Sequence, residues 1–344
     1  MPDLRTEISE IVTGLAMLGF RDLDHVLAAR PHVVTNVDDE HFARLREARD
    51  AGTHDALFRT AWDNGVVFAR SDDGLRGRPV WRLEWKGGHK PPGYEQIPAD
   101  LRVDHVYLVS CKYGSSILHN VAPAHLFDRR LAERRRGAAV PDWFADVAPE
   151  AYQELYAACR KAVLDGRTDP LQAELPDVVT ALAPPHRDQL KARLRGRSWP
   201  EGVERIYRDF SHAVALRSVE RWKAALPDGL AREEMLWRLL RLQAAPYFVL
   251  GAAADGSPLR YRVDTPWDFR TRFRVRSFDA WPDAAGQPLV RWRADLHDRV
   301  SDTARAVEGR VEIRWSHGRF SGAPEAKVHL DTHPHEVAGY VALG

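Results

Sequence analysis

The stretch VWRLEWKGGHKPPGYEQIPADLRVDHVYLVSCKY, residues 80–113, decides how this chain folds. Its first seven residues alternate. Trp81, Leu83 and Trp85 fall in one phase, and Arg82, Glu84 and Lys86 in the other. A strand sends the two phases to opposite faces, so residues 80–86 predict a half-buried strand. Residues 103–113 are more apolar and predict a buried strand. The Gly/Pro-rich loop between them is long for a connection in a compact domain, and long loops tend to carry function.

Working outward, residues 7–18 have helical spacing, with Ile8, Ile11, Leu15 and Leu18 on one stripe. Residues 41–50 also predict a helix. A third is expected over 55–63, stopped by Asn64 and Gly65, with a short strand over 66–70 and a turn at Asp72, Asp73 and Gly74. Beyond 124 the pattern is helical, broken by Pro and Gly. From 247 the period becomes two, predicting strands over 247–251, 258–263, 273–281, 288–294, 307–315 and 325–330. The expectation is an α+β protein: a mixed α/β portion (1–136), a helical region (137–245) and an antiparallel β domain (246–344).

The chain's 344 residues, 44% of them apolar, are enough to bury a sizeable core. No run of 18 residues is apolar and uncharged, which excludes a hydrophobic membrane helix. The opening residues are acidic where a secretory leader is basic. Two cysteines exclude a disulfide framework and a four-cysteine zinc site, and a cytoplasmic location is expected. Neither a P-loop, a dinucleotide fingerprint nor a serine-hydrolase elbow is present.

The formal net charge is only +1, yet its make-up is uneven. Of the basic residues, 43 are Arg and seven are Lys, and three of those seven (Lys86, Lys90 and Lys112) fall between 86 and 112. The arginines concentrate elsewhere. Arg270, Arg272, Arg274 and Arg276 alternate with Phe273 and Val275, and Arg260 and Arg262 alternate with Leu259, Tyr261 and Val263. Arg291 and Arg293 flank Trp292, while Arg314 opposes Ile313 and Trp315. Strand geometry would gather these guanidinium groups on one face, where like charges repel unless neutralised. Phosphate would neutralise them, since Arg suits bidentate phosphate contact, and this points to DNA as partner. His89 and Lys90 in the long loop join that set. A solvated face balanced by Asp264, Asp268, Asp279 and Glu312 is the alternative.

Candidate chemistry lies between 72 and 120. Asp73, ten residues, then Glu84-Trp85-Lys86 sets two carboxylates and a lysine where neighbouring strands can bring them together. Paired carboxylates hold Mg²⁺ through oxygen, and a nearby ammonium can stabilise charge developing on phosphate. These residues resemble the motif of the PD-(D/E)XK, or restriction-endonuclease-like, nuclease superfamily. The likeness spans about residues 40–136 as helix, three strands and helix. It implies metal-dependent phosphodiester hydrolysis by a restriction or phage-defence type of enzyme, with metal and catalytic roles on Asp73, Glu84 and Lys86. A second placement of the same motif is Pro98-x-Asp100 with Ser110-Cys111-Lys112. There Ser110 stands where the pattern has an acid, and Glu84 on the neighbouring strand can supply a carboxylate.

Two other classes stay open. Lys112 or Lys86, with Asp100 or Asp104 beside it, could serve as an amine nucleophile in a base-excision glycosylase or lyase acting on flipped bases. The chain could also bind nucleic acid without altering it.

Overall fold

The computed structural model describes residues 3–87, 99–114, 117–128, 142–164, 174–196, 198–283 and 286–344. His89, Lys90 and most of the long loop lie outside the described residues. The fold is mixed α+β, with two sheets and a β-rich C-terminal region.

The chain divides into two units. One comprises Met1–Ser116, Arg241–Phe273 and His333–Gly344. The other comprises Ile117–Leu240 and Arg274–Thr332. This division differs from the expected succession of three regions, because strands far apart in sequence pair within one sheet.

The first unit is built on a seven-stranded mixed sheet. In spatial order its strands are β1 (Val34–Thr35), β2 (Leu83–Trp85), β3 (Leu101–Val103), β4 (Tyr107–Tyr113), β6 (Tyr247–Ala252), β7 (Pro258–Val263) and β12 (Tyr340–Ala342). Strands β2, β3 and β4 form an antiparallel meander, and β6 runs parallel to β4 with Lys112 opposite Gly251. The β6–β7 hairpin, expected in a separate C-terminal domain, therefore completes the N-terminal sheet. Apolar side chains of the helical run 4–18 pack on it with Phe58 and Phe68, burying Leu83, Trp85, Val103, Val109 and Leu250.

Four local expectations change. The stop expected at Asn64 and Gly65 and the strand over 66–70 are absent; one helix runs Asp55–Arg70. Gly65 is a contact point there, since an added Cβ would lie 2.1 Å from the Thr13 carbonyl oxygen. The apolar run after it continues the buried helical stripe, with Phe68 fully buried. Residues 103–113 break into β3 and β4 because Asp104 and His105 adopt left-handed conformations, with φ of 50° and 60°. Residues 80–86 form only the short β2, and Trp81, expected in the core, is 57% exposed. Arg270 and Arg272 belong to the helix Pro266–Arg272, not to a strand. Thr265 caps that helix, Pro266 opens it and Asp268 accepts a hydrogen bond from the Thr265 backbone, a start signal that overrides the alternation.

The second unit contains a five-stranded antiparallel sheet. Its order is β5 (Ile117–Val121), β11 (Glu325–Leu330), β10 (Thr303–Arg314), β9 (Leu289–Asp298) and β8 (Phe273–Asp283). Helices Trp143–Val147, Pro149–Leu164 and Val203–Ala225 supply an aromatic core. Trp143, Trp222, Trp292, Phe144 and Phe210 are fully buried, and Phe210 stacks on Trp315.

Candidate active site

The seven-stranded sheet brings the second motif placement together at one end of the meander. Lys86, just past β2, donates its backbone N–H to the Asp100 carbonyl at 2.8 Å. Asp100, just before β3, donates its own N–H to the Val109 carbonyl on β4 at 2.8 Å. Three neighbouring strands thus place Lys86, Asp100 and the Ser110–Lys112 segment side by side. The Asp100 carboxylate accepts the Cys111 backbone N–H at 2.7 Å and the Ser110 hydroxyl at 3.3 Å. Ser110 therefore orients the acid that the motif lacks at its own position.

A residue not singled out from sequence completes the group. Glu10 accepts the Trp85 indole N–H at 2.7 Å. Burial pushes the Glu10 carboxyl up to about 7, the negative charge of Asp100 adds to the rise, and Lys112 and Lys86 oppose it. Burial likewise raises the Asp100 carboxyl, against its hydrogen bond from Cys111 and the two lysines. Two half-buried carboxylates thus lie within each other's field, faced by two ammonium groups. Cys111 is no nucleophile at neutral pH, since burial and the two acids hold its thiol well above the usual range.

Glu10 reaches this place through an irregular helix. Residues 8–12 form a widened π-type turn inside the helical run 4–18. Such a turn inserts one extra residue and shifts the phase of the helix beyond it. The Thr13 amide turns to the Glu10 carbonyl, and the Thr13 hydroxyl donates to the Ser9 carbonyl at 2.6 Å. On its far side, the Trp85 indole meets the His41 ring edge-on at 4.9 Å.

The first placement is dispersed. The Asp73 carboxylate pairs with Arg262 at 2.7 Å. The Glu84 carboxylate is clasped by Arg102, with Arg82 at 3.5 Å and His105 at 3.2 Å around it. The Arg102 hydrogen bond is the main reason its carboxyl is lowered. Asp104 is buried in the β3–β4 turn, where it accepts the backbone N–H groups of Trp81 and Arg82 and pairs with Arg78. These three acids hold strands and turns together.

The arginines are mostly matched by acids. Arg260 donates to the Asn64 side chain at 2.7 Å, and Arg262 binds Asp73 and Asp264. Arg291 reaches Asp283 and Asp331, and Arg293 reaches Asp295 and Glu308. Arg314 lies 3.5 Å from Glu312. Arg291 and Arg310 stand directly opposite each other on β9 and β10, and Asp331 bridges both. Arg270 and Arg272 are exposed on their helix, the latter over the Phe273 ring at 5.0 Å. Arg274 and Arg276, on the edge strand β8, are exposed and have no ion-pair partner among the described residues.

Among the described residues no group of three or more His, Cys, Asp or Glu has the arrangement of a metal-ligand set. Glu10 and Asp100 are a pair, and Mg²⁺ is commonly bound through one or two carboxylates, with water and substrate phosphate completing its shell. Their mutual repulsion is what a cation would relieve, so the donor set fits that ion. Comparison with protein-family models, curated proteins and solved structures gives no match for this chain.

Proposed function

We propose that this chain is a divalent-metal-dependent phosphodiesterase acting on DNA, with its centre at Glu10, Asp100, Lys112 and Lys86. The observation that carries the reading is the pair of burial-raised carboxylates beside two lysines at the end of the meander. The PD-(D/E)XK resemblance adds to it, because Asp100 and Lys112 belong to the second placement of that motif.

In this reading Glu10 and Asp100 would hold Mg²⁺, which when bound polarises a phosphoryl oxygen and makes water a better nucleophile. Trp85 fixes the Glu10 carboxylate, while Ser110 and the Cys111 amide fix that of Asp100. Fixed ligands need no reorganisation when substrate arrives. Lys112 and Lys86 supply compact positive charge beside the acids. An ammonium on a flexible stem can follow charge as it builds on phosphate, which a planar guanidinium does less well. The Arg291–Arg293 face has no role here, because its own acids neutralise it.

The test incubates DNA with the protein in Mg²⁺ or EDTA and resolves the strands before and after alkali. Strand scission in Mg²⁺ alone, lost by about 100-fold or more in Asp100→Asn and Lys112→Ala, is the expected result. Full cleavage by both variants would overturn the site. Breaks that appear only after alkali, and persist in EDTA, would replace hydrolysis with base excision.

A further inference from the structure

A chain of hydrogen bonds, buried or partly buried, runs beside this site, and each link has a definite proton order. Arg260 Nε–H donates to Asn64 Oδ1 at 2.7 Å. The Asn64 amide nitrogen donates to the Tyr113 hydroxyl at 3.1 Å and to the Gly251 carbonyl at 3.0 Å, so both its protons are committed. Thr13 gives its only hydroxyl proton to the Ser9 carbonyl at 2.6 Å. The 2.8 Å contact between Tyr113 and Thr13 then has one consistent sense: the phenol donates and the threonine oxygen accepts. Burial raises the Tyr113 phenol, which keeps it protonated for that task. Thr13 and Asn64 are fully buried.

Two members of this chain adjoin site residues. Ser9 directly precedes Glu10, and Tyr113 directly follows Lys112. Asn64 also ties in Gly251, whose backbone lies so close to Lys112 that an added Cβ would fall 1.7 Å from the lysine carbonyl oxygen. The chain therefore spans the widened turn that presents Glu10 and the strand that presents Lys112. The Thr13 hydroxyl takes the Ser9 carbonyl and the Thr13 amide takes the Glu10 carbonyl, so Thr13 holds two backbone acceptors of the widened turn on either side of the Glu10 amide. If the turn tightened to a regular α-helix, one residue of phase, about 100°, would be lost, and Glu10 would turn away from Trp85.

We propose that Thr13, Tyr113, Asn64 and Arg260 are positioning residues that hold the widened turn of Glu10 against the strand of Lys112. This rests on the reading of Glu10 and Lys112 as parts of one metal-dependent site. It also gives Arg260, placed from sequence among the nucleic-acid contacts, a different task.

The test uses the full chain with Thr13→Val, Thr13→Ser and Tyr113→Phe. Mn²⁺ binding by calorimetry is one readout, and cleavage as a function of Mg²⁺ and DNA concentration is the other. Thr13→Val is expected to weaken Mn²⁺ binding and raise half-saturating Mg²⁺ by about tenfold, with the KM for DNA unchanged. Thr13→Ser restores both, and Tyr113→Phe shifts both in the same direction. If Thr13→Val does not fold, Tyr113→Phe decides alone. Wild-type Mn²⁺ affinity in the folded variants overturns the positioning role. Weakened Mn²⁺ binding with no cleavage by any form, wild type included, keeps the positioning role and removes hydrolysis. A wild-type chain that binds no Mn²⁺ overturns both.

Discussion

The outer face of the five-stranded sheet and the strand ends of the seven-stranded sheet make opposite use of charge. The first is crowded with arginine, but each of Arg291, Arg293, Arg310 and Arg314 has an acid on its own or an adjoining segment. At the second, Glu10 and Asp100 meet Lys86 and Lys112, and burial keeps both acids unsettled. Density of charge along a sequence is therefore a poor guide to charge left over for a partner. Exposed pairs in high dielectric neutralise one another and contribute little. Half-buried like charges are costly until something binds, and such perturbed groups mark candidate sites.

The comparison breaks most decisively through single substitutions in each region. Glu10→Gln, Asp100→Asn and Lys112→Ala should each reduce Mg²⁺-dependent DNA cleavage by about 100-fold or more, with melting temperatures close to wild type or higher for the two acid variants. Arg291→Ala should leave the rate unchanged. Glu84→Gln is the sharper control, since Glu84 has the motif's spacing but sits in the arginine cluster. Retained cleavage with reduced stability is expected, and a selective loss of cleavage would return Glu84 to the site.

The second effect is on pH. Glu10 moves from an ordinary 4.5 to about 7 in the folded chain. The folded state thus holds a proton that the unfolded state has released, so this group's favourable contribution is full below about 4.5 and is lost as pH rises through about 7. Glu10→Gln removes the carboxylate. Its melting temperature relative to wild type should rise between pH 5 and pH 8, measured by thermal denaturation without metal. An equal gap at both values would mean that Glu10 is not destabilised as an anion.

These contrasts explain which features were legible in the sequence. The mixed α+β class followed from alternation and helical spacing, because both are local. Asp100, Ser110 and Lys112 were readable because they lie on consecutive strands joined by a tight turn. Glu10 was not, since it looks like a polar residue on an amphipathic helix, and only Trp85, 75 positions away, brings it to the site. Asp73 and Glu84 had the right spacing, but their partners Arg262 and Arg102 come from other strands. The parallel pairing of β4 with β6 was hidden by the intervening second unit. Arg270 and Arg272 have strand-like alternation, but the capping box at Thr265 outweighs it.

A third test probes the balance of the arginine face. Asp331 bridges Arg291 and Arg310 across the β9–β10 ladder. Asp331→Ala would leave two like charges in register and should destabilise the chain by about 1 kcal/mol, less in high salt. Urea denaturation at two ionic strengths measures this. No change, or a change independent of salt, would mean that the pairing is not electrostatically important.

The smallest effect concerns the edge strand. Arg274 and Arg276 are exposed without ion-pair partners among the described residues, whereas Arg291 and Arg293 are each held by two acids. If DNA touches the five-stranded sheet, only the first pair has charge available for phosphate. Each phosphate that an arginine neutralises adds about 0.9 to the steepness with which log affinity falls with log salt. Arg274→Ala with Arg276→Ala should therefore flatten that slope by at most about 2, while cleavage at saturating DNA stays the same. Arg291→Ala with Arg293→Ala should leave the slope where it is, because releasing those arginines to phosphate would first require breaking their bonds to Asp283, Asp331, Asp295 and Glu308. Equal flattening by both double variants would show that paired arginines bind phosphate as readily as unpaired ones, and the contrast between the two regions would then rest on burial alone.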